Sequence, residues 1–224
     1  MLKRELLATA KIPGSSGSLQ LIRRGEEFLI EIEGVGGLMG NVATRSEEEL
    51  ATLTAERLGT RSKARVLIGG LGMGFTLAAA LKRFPKDASL VVAELVPELV
   101  EWNRGPMGAS AGHPLKDPRT EVYMGDVADL LRKGKGAYDA VLLDVDNGPE
   151  GLTLRSNDWL YLAPGLRAAH RALRPQGVLA VWSAGPDKHF KDRLVKAGFQ
   201  VEERQVRAQG MKGRRHVVWV AQRG

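Results

Sequence analysis

Cysteine is absent from the 224 residues. That excludes disulfides, thiolate metal ligands and a cysteine nucleophile, and it fits a reducing compartment, so the cytoplasm is the expected location. Long apolar runs are also missing. None approaches the roughly 20 residues that cross a bilayer, and the opening stretch MLKRELLATAKIPGSSG lacks a signal-peptide layout. No membrane association is expected. Histidine is sparse: His113, His170, His189 and His216 are scattered, with no His-Glu-x-x-His or similar spacing, so no metal site is expected. Ser183 has no G-x-S-x-G context, which argues against a serine hydrolase.

Aromatics amount to only 5%, although the net charge is +7. From Asp187 onward ten Lys and Arg face four acids, so most of the excess lies at the C-terminal end. Basic charge without interleaved aromatics or a nucleic-acid motif reads as a solvated face, and nucleic acid is not the expected partner.

What the chain does have is an alternation of strand and helix patterns from Arg65 onward. Strands are expected at Arg65–Gly69, Ser89–Glu94, Glu121–Met124, Tyr138–Asp144 and Gly177–Ser183. Helices are expected at Phe75–Phe84, Pro97–Arg104, Val127–Arg132, Trp159–Leu173 and Pro186–Ala197. Strands Phe199–Val206 and His216–Gln222, joined by a loop over Ala208–Arg215, close the chain. The pattern implies an α/β fold with a seven-stranded, mostly parallel sheet and a C-terminal antiparallel hairpin. This is the Rossmann-like layout of class I S-adenosylmethionine-dependent methyltransferases.

Residues 1–45 differ. Ser18–Arg24 and Glu27–Glu33 alternate around Arg24-Gly25-Glu26 as a hairpin, and Gly34–Gly40 is too glycine-rich for a regular element. Ser46 and Glu49 form an expected capping box for the next helix, with Gly59 as its C-cap. The expected organisation is therefore a small N-terminal β region over 1–45 and a cofactor-binding domain over 46–224.

The chemistry-bearing residues fall at strand ends, where doubly wound sheets bind ligands. The first strand runs into Gly69, Gly70, Gly72 and Gly74, a turn that lets backbone approach a nucleotide cofactor ahead of a helix N-terminus. Glu94 ends the second strand and can accept from both hydroxyls of a ribose; Leu95 follows it. Asp126, followed by Val127, can accept from an adenine amino group or cap the next helix. The fourth strand ends in Asp144-Val145-Asp146-Asn147-Gly148-Pro149-Glu150. Asp144 is placed to orient an amine and take its proton, while Asp146, Asn147 or Glu150 can hold a second cationic group. Trp102, Trp159 and Tyr161 lie beyond strand ends, as pocket walls or as packing.

The series VLIGGLGMG, VVAELVPELVEWN, VYMGDVADLL, YDAVLLDVDNGPEG and RALRPQGVLAVWS resembles the spermidine synthase (polyamine aminopropyltransferase) superfamily over roughly Arg65–Ser183. The resemblance implies transfer of an aminopropyl group from decarboxylated S-adenosylmethionine to a small amine. Gly70 and its neighbours would approach the cofactor, Glu94 the ribose and Asp126 the adenine, and Asp144 matches the catalytic aspartate. It also implies a homodimer. Two departures stand out. The family's G-G-G-D-G-G turn has Gly72 at its aspartate, which removes a reason to prefer the decarboxylated cofactor over S-adenosylmethionine itself. The family's D-S-x-D-P loop reads Asp144-Val145-Asp146-Asn147-Gly148, so its second aspartate is either replaced by Asn147 or shifted to Asp146. Methyl transfer, including to a larger anionic acceptor such as RNA, and a non-catalytic binding module are the alternatives.

Overall fold

Two sheets divide the chain, and a computed structural model describes residues 3–42, 44–145, 158–209 and 212–224. The first sheet is a four-stranded antiparallel meander, β1 Arg4–Lys11, β2 Ser18–Arg24, β3 Glu27–Ile32 and β4 Gly36–Gly40. Helix α1, Arg45–Leu58, leads out of it. The second sheet takes β5 Arg65–Gly69, β6 Ser89–Glu94, β7 Thr120–Met124, β8 Tyr138–Leu143, β9 Leu173–Ser183, β10 Phe199–Gln209 and β11 Lys212–Arg223, in the order β10-β11-β9-β8-β5-β6-β7. Five strands run parallel; β11 pairs antiparallel with β9 and β10. The remaining helices are α2 Phe75–Arg83, α3 Pro97–Arg104, α4 Val127–Lys133, α5 Asp158–Tyr161, α6 Ala163–Ala172 and α7 Phe190–Lys196. The α/β architecture with its closing hairpin is the expected one.

The central strands are apolar through most of their length because both faces are covered. Val66, Ile68, Ala140, Leu142, Val178 and Ala180 pack toward α1 and α2, against Leu50, Ala51, Leu77 and Ala80. Their neighbours Leu67, Val141, Leu143, Leu179 and Val181 face the other way, toward Leu131, Leu166, Phe190 and Leu194 of α4, α6 and α7. A third cluster joins the two sheets: Ile12, Leu19, Leu21 and Ile30 pack with Met73, Val96, Leu99 and Met107. Asp139 is the one charged side chain inside β8 and is fully buried. It accepts from Arg61 (2.8 Å), Arg174 (2.7 Å) and the Arg65 amide (2.7 Å), and so ties the entry of β5 to β8 and β9.

Several expectations need correction. β1 is an additional strand, and Gly36–Gly40 is a strand rather than irregular; Gly40 opposes Leu29, whose side chain leaves no room for a Cβ there. No capping box forms. Thr44 occupies the N-cap position and the Ser46 hydroxyl donates to Glu47 (2.6 Å), while Gly59 (φ +70°) closes the helix as expected. The expected helix Trp159–Leu173 is two helices, because Pro164 has no N–H to continue the first and suits the start of the second. Leu173 then opens β9, opposite Tyr138. α7 starts at Phe190, not Pro186, because the Asp187 carboxylate accepts the amides of His189 and Phe190 and so ends the preceding turn. The terminal hairpin is longer than expected, with Arg207 opposite Arg215 and Gln209 opposite Lys212. Among the described residues, no helix is long and apolar enough to cross a membrane.

Candidate functional site

The parallel ladder continues past its strands, and that continuation builds the site. Asp144 donates its amide to the Gly69 carbonyl, Gly70 to Ala93 and Gly125 to Glu94, each at 2.9 Å. Asp144, Gly70, Glu94 and Gly125 thus stand in one row along the carboxyl edge of β8, β5, β6 and β7. Gly70 has φ +90°, and a Cβ there would run into the Asp144 carbonyl oxygen, so only glycine allows the two chains to approach. Gly72 and Gly74 also have positive φ, and Gly74 stands at the N-cap of α2.

Behind this row lies a cavity of about 200 Å³. Gly70, Gly72, Glu94, Leu95, Asp126, Val127 and Asp144 all line it, so residues chosen from the sequence for one ligand do converge. Gly69 and Gly74 shape the turn without lining the cavity; a Cβ on Gly69 would press on Leu143 and Val127.

Glu94 is 6% exposed. Its two carboxylate oxygens accept the amides of Leu71 (2.9 Å) and Val96 (2.8 Å), which fixes the side chain. Burial raises its pKa, opposed by these amide bonds. Each oxygen keeps lone-pair capacity for a hydroxyl donor. Asp126 caps α4, its Oδ1 accepting from the Ala128 amide at 2.8 Å. Capping and ligand contact are geometrically compatible, since Asp126 also lines the cavity.

At the other end, Asp144 accepts the Thr76 hydroxyl from the first turn of α2. Burial pushes its pKa up to about 6, and the Thr76 bond acts against that rise. Glu47 of α1 enters the same cavity. Burial, then the negative charge of Asp144, pushes its pKa up to about 7. Sequence reading missed Glu47, which passed for one of three helix-opening glutamates. It also missed Thr76, although a hydroxyl one turn after a glycine motif is a visible signal. Met39 and Trp182 line the cavity as well, and nothing local in the sequence distinguishes them.

Tyr161 is not a lining residue. It is 2% exposed, packs edge-on to Phe190 and donates its hydroxyl to the Val145 carbonyl (2.9 Å), so it steadies the strand end beside Asp144 instead. Trp102 and Trp159 do not line the cavity either; Trp102 packs against the cluster joining the sheets and Trp159 lies under the Arg132 guanidinium at 4.1 Å. Asp146, Asn147 and Glu150 lie outside the described residues.

No protein-family model matches the chain. Among curated proteins it is 31% identical over 122 residues to a polyamine aminopropyltransferase of Nitrosomonas europaea, covering 54% of this chain and 36% of that protein. It is 28% identical over 148 residues to a malonyl-[acyl-carrier protein] O-methyltransferase of Dechloromonas aromatica, covering 64% of this chain and 45% of that one. The chain thus matches less than half the length of these curated relatives. In fold it resembles the spermidine synthase of Thermotoga maritima, with a TM-score of 0.79 at 18% identity, over 98% of this chain and 73% of that one. Part of the chain is thus similar in sequence to an aminopropyltransferase and to an O-methyltransferase, and its fold is that of spermidine synthase.

Proposed function

We propose that this spermidine synthase-like chain is an alkyl transferase that uses S-adenosylmethionine or its decarboxylated form and acts on a small amine. The observation that carries the reading is the row Asp144, Gly70, Glu94, Gly125 along one cavity edge. The residues present fit a sulfonium nucleoside. The Gly70 turn clears backbone for close approach, Glu94 is pre-set by two amides for a diol, and Asp126 and Val127 stand beyond β7 for a base. Leu95 and Val127 supply apolar surface between these polar groups.

When bound, such a cofactor supplies an electrophilic carbon next to a cationic sulfur, and the C–S electron pair leaves on sulfur. What remains for the chain is alignment and one proton transfer. Asp144, with a raised pKa and the Thr76 hydroxyl as its donor among the described residues, orients the amine and accepts its proton. In the resemblance Asp146, Asn147 and Glu150 would hold the far end of the acceptor.

A methyl-transfer reading is favoured by one observation. Gly72 stands where the family carries the aspartate for the aminopropyl tail, and the Met39 thioether, not a polar group, lies over it. Calorimetric titration of S-adenosylmethionine and decarboxylated S-adenosylmethionine, side by side, tests both statements. Binding of either supports the cofactor assignment, and the ratio chooses between methyl and aminopropyl. No binding of either overturns the proposal.

A further inference from the structure

Four carboxylates line the cavity, from Glu47, Glu94, Asp126 and Asp144, and no Lys, Arg or His is among its described lining residues. Two of the four are occupied by backbone. Glu94 accepts two amides and Asp126 accepts one. The other two are met by side-chain hydroxyls: Thr76 donates to Asp144, and Ser46 donates to Glu47, which also accepts from its own backbone amide. They arrive from different elements, Asp144 from the end of β8 and Glu47 from the first turn of α1, and Glu47 is near enough to Asp144 for that charge to raise its pKa. The surrounding wall is apolar, with Met39, Phe75, Val145 and Trp182. Two carboxylates in such a place repel one another, and no cation lines the cavity among the described residues, so a cationic ligand would balance their charge.

We infer that Glu47 is a second acceptor-site carboxylate. With Asp144 it flanks the reacting nitrogen of a primary aliphatic amine that enters as its ammonium ion. The inference rests on the transferase reading and adds a residue and a substrate charge to it. The ammonium gives one proton to the pair, its N–H bond electrons becoming the nitrogen lone pair, and one carboxylate becomes a carboxylic acid. Two carboxylates around one nitrogen favour a cationic amine over a hydroxyl, carboxylate or ring-nitrogen acceptor. Among the described residues, Asp144 and Glu48 bring charge to Glu47 and Ser46 a hydroxyl. Thr76 of α2 and Trp182 of β9 line the same cavity, Trp182 with its ring 4.8 Å from that of His216 of β11.

The test uses the full chain saturated with 5′-methylthioadenosine, titrated calorimetrically with putrescine, 1,3-diaminopropane and n-butylamine in two buffers of different ionisation enthalpy. Wild type is expected to bind at least one of these amines and to release a proton near pH 7, as the pair becomes fully ionised around the cation. Glu47→Gln is expected to weaken that binding about tenfold or more and to lose the proton release, with Glu47→Asp recovering part of each. 5′-Methylthioadenosine should bind all three proteins within about threefold. Unchanged amine affinity and proton release in Glu47→Gln, or no amine binding by wild type while the nucleoside still binds, overturns this inference alone. Failure of wild type to bind the nucleoside or either adenosylmethionine overturns the transferase reading beneath it. A merely structural Glu47 would shift the melting temperature but not the proton count.

Discussion

The Met39 sulfur of β4 lies 3.3 Å from where a Cβ on Gly72 would stand, with Met39 Cε at 3.8 Å. A strand of the small sheet therefore reaches the position that corresponds, in the resemblance to spermidine synthases, to the aspartate of their glycine turn. Restoring that carboxylate is a direct test. Gly72 has φ +51°, a left-handed value that aspartate tolerates better than most residues, and a thioether can swing aside. Gly72→Asp is expected to raise the affinity ratio of decarboxylated to intact S-adenosylmethionine by about tenfold, the scale of one charged hydrogen bond. Adding Met39→Ala should enlarge the effect. A ratio that stays constant in both variants would remove position 72 from cofactor choice.

Asp144→Asn keeps the shape of the strand end and can still meet the Thr76 hydroxyl, but it cannot take a proton. Turnover should fall about 10²- to 10⁴-fold, with cofactor affinity nearly intact. Steady-state kinetics beside calorimetry separate the two. A retained turnover rate would sink the assignment.

Glu94→Gln turns one carboxylate oxygen into an NH₂ group that must face either the Leu71 or the Val96 amide. Cofactor affinity should drop about 10- to 100-fold through the lost charged acceptor. The melting temperature should also fall by several degrees, because one donor now opposes another. Loss of stability with no loss of affinity would make Glu94 a purely structural acid.

Stability of the ligand-free protein should depend on pH through Glu47 and Asp144. Both titrate higher in the folded state, Glu47 from 4.5 to about 7 and Asp144 from 3.8 to about 6. The folded chain holds their protons more tightly than the unfolded chain. Their stabilising contribution is therefore complete below the unfolded values and is lost as pH rises through about 6 and about 7. Urea melts from pH 5 to pH 8 should show a loss of about 4 kcal/mol from this source, and Glu47→Gln should flatten it in part. An identical slope in the variant would mean that the pair does not hold these protons.

Asp139→Ala removes the acceptor shared by Arg61, Arg174 and the Arg65 amide. Both arginines are partly exposed and can return to water, but the amide is left without its partner. The expected cost is about 1–3 kcal/mol in denaturant melts, with catalytic constants of the folded protein unchanged. A variant as stable as wild type would show the clamp to be dispensable.

The large sheet was legible because buried parallel strands write themselves as apolar runs, and those of β5, β6 and β8 lead directly into Gly70, Glu94 and Asp144; the edge strand β7, only partly buried, leads to Asp126. The small sheet was only half legible. Three of the five residues of β4 are glycine, and its pairing with β3 is not written in an alternating pattern of its own. Likewise, Glu47 carries no local mark of its role. It acquires one only when α1 packs beside β8 and brings its first turn to Asp144, a juxtaposition that spacing along the chain does not encode. Tyr161 was open in the sequence between pocket wall and packing, and it packs: its ring meets Phe190 and its hydroxyl donates to the Val145 carbonyl.

Ile12, Leu19, Leu38 and Met39 of the N-terminal segment form one wall of the cavity, and the strand ends of the large sheet form the other. Whatever fills that space touches both, so its binding energy is also adhesion between the two sheets. Ligand release then requires the same contacts to loosen. Amide exchange in β1–β4 should slow on saturation with ligand, which would make the small sheet the slow door of the turnover cycle.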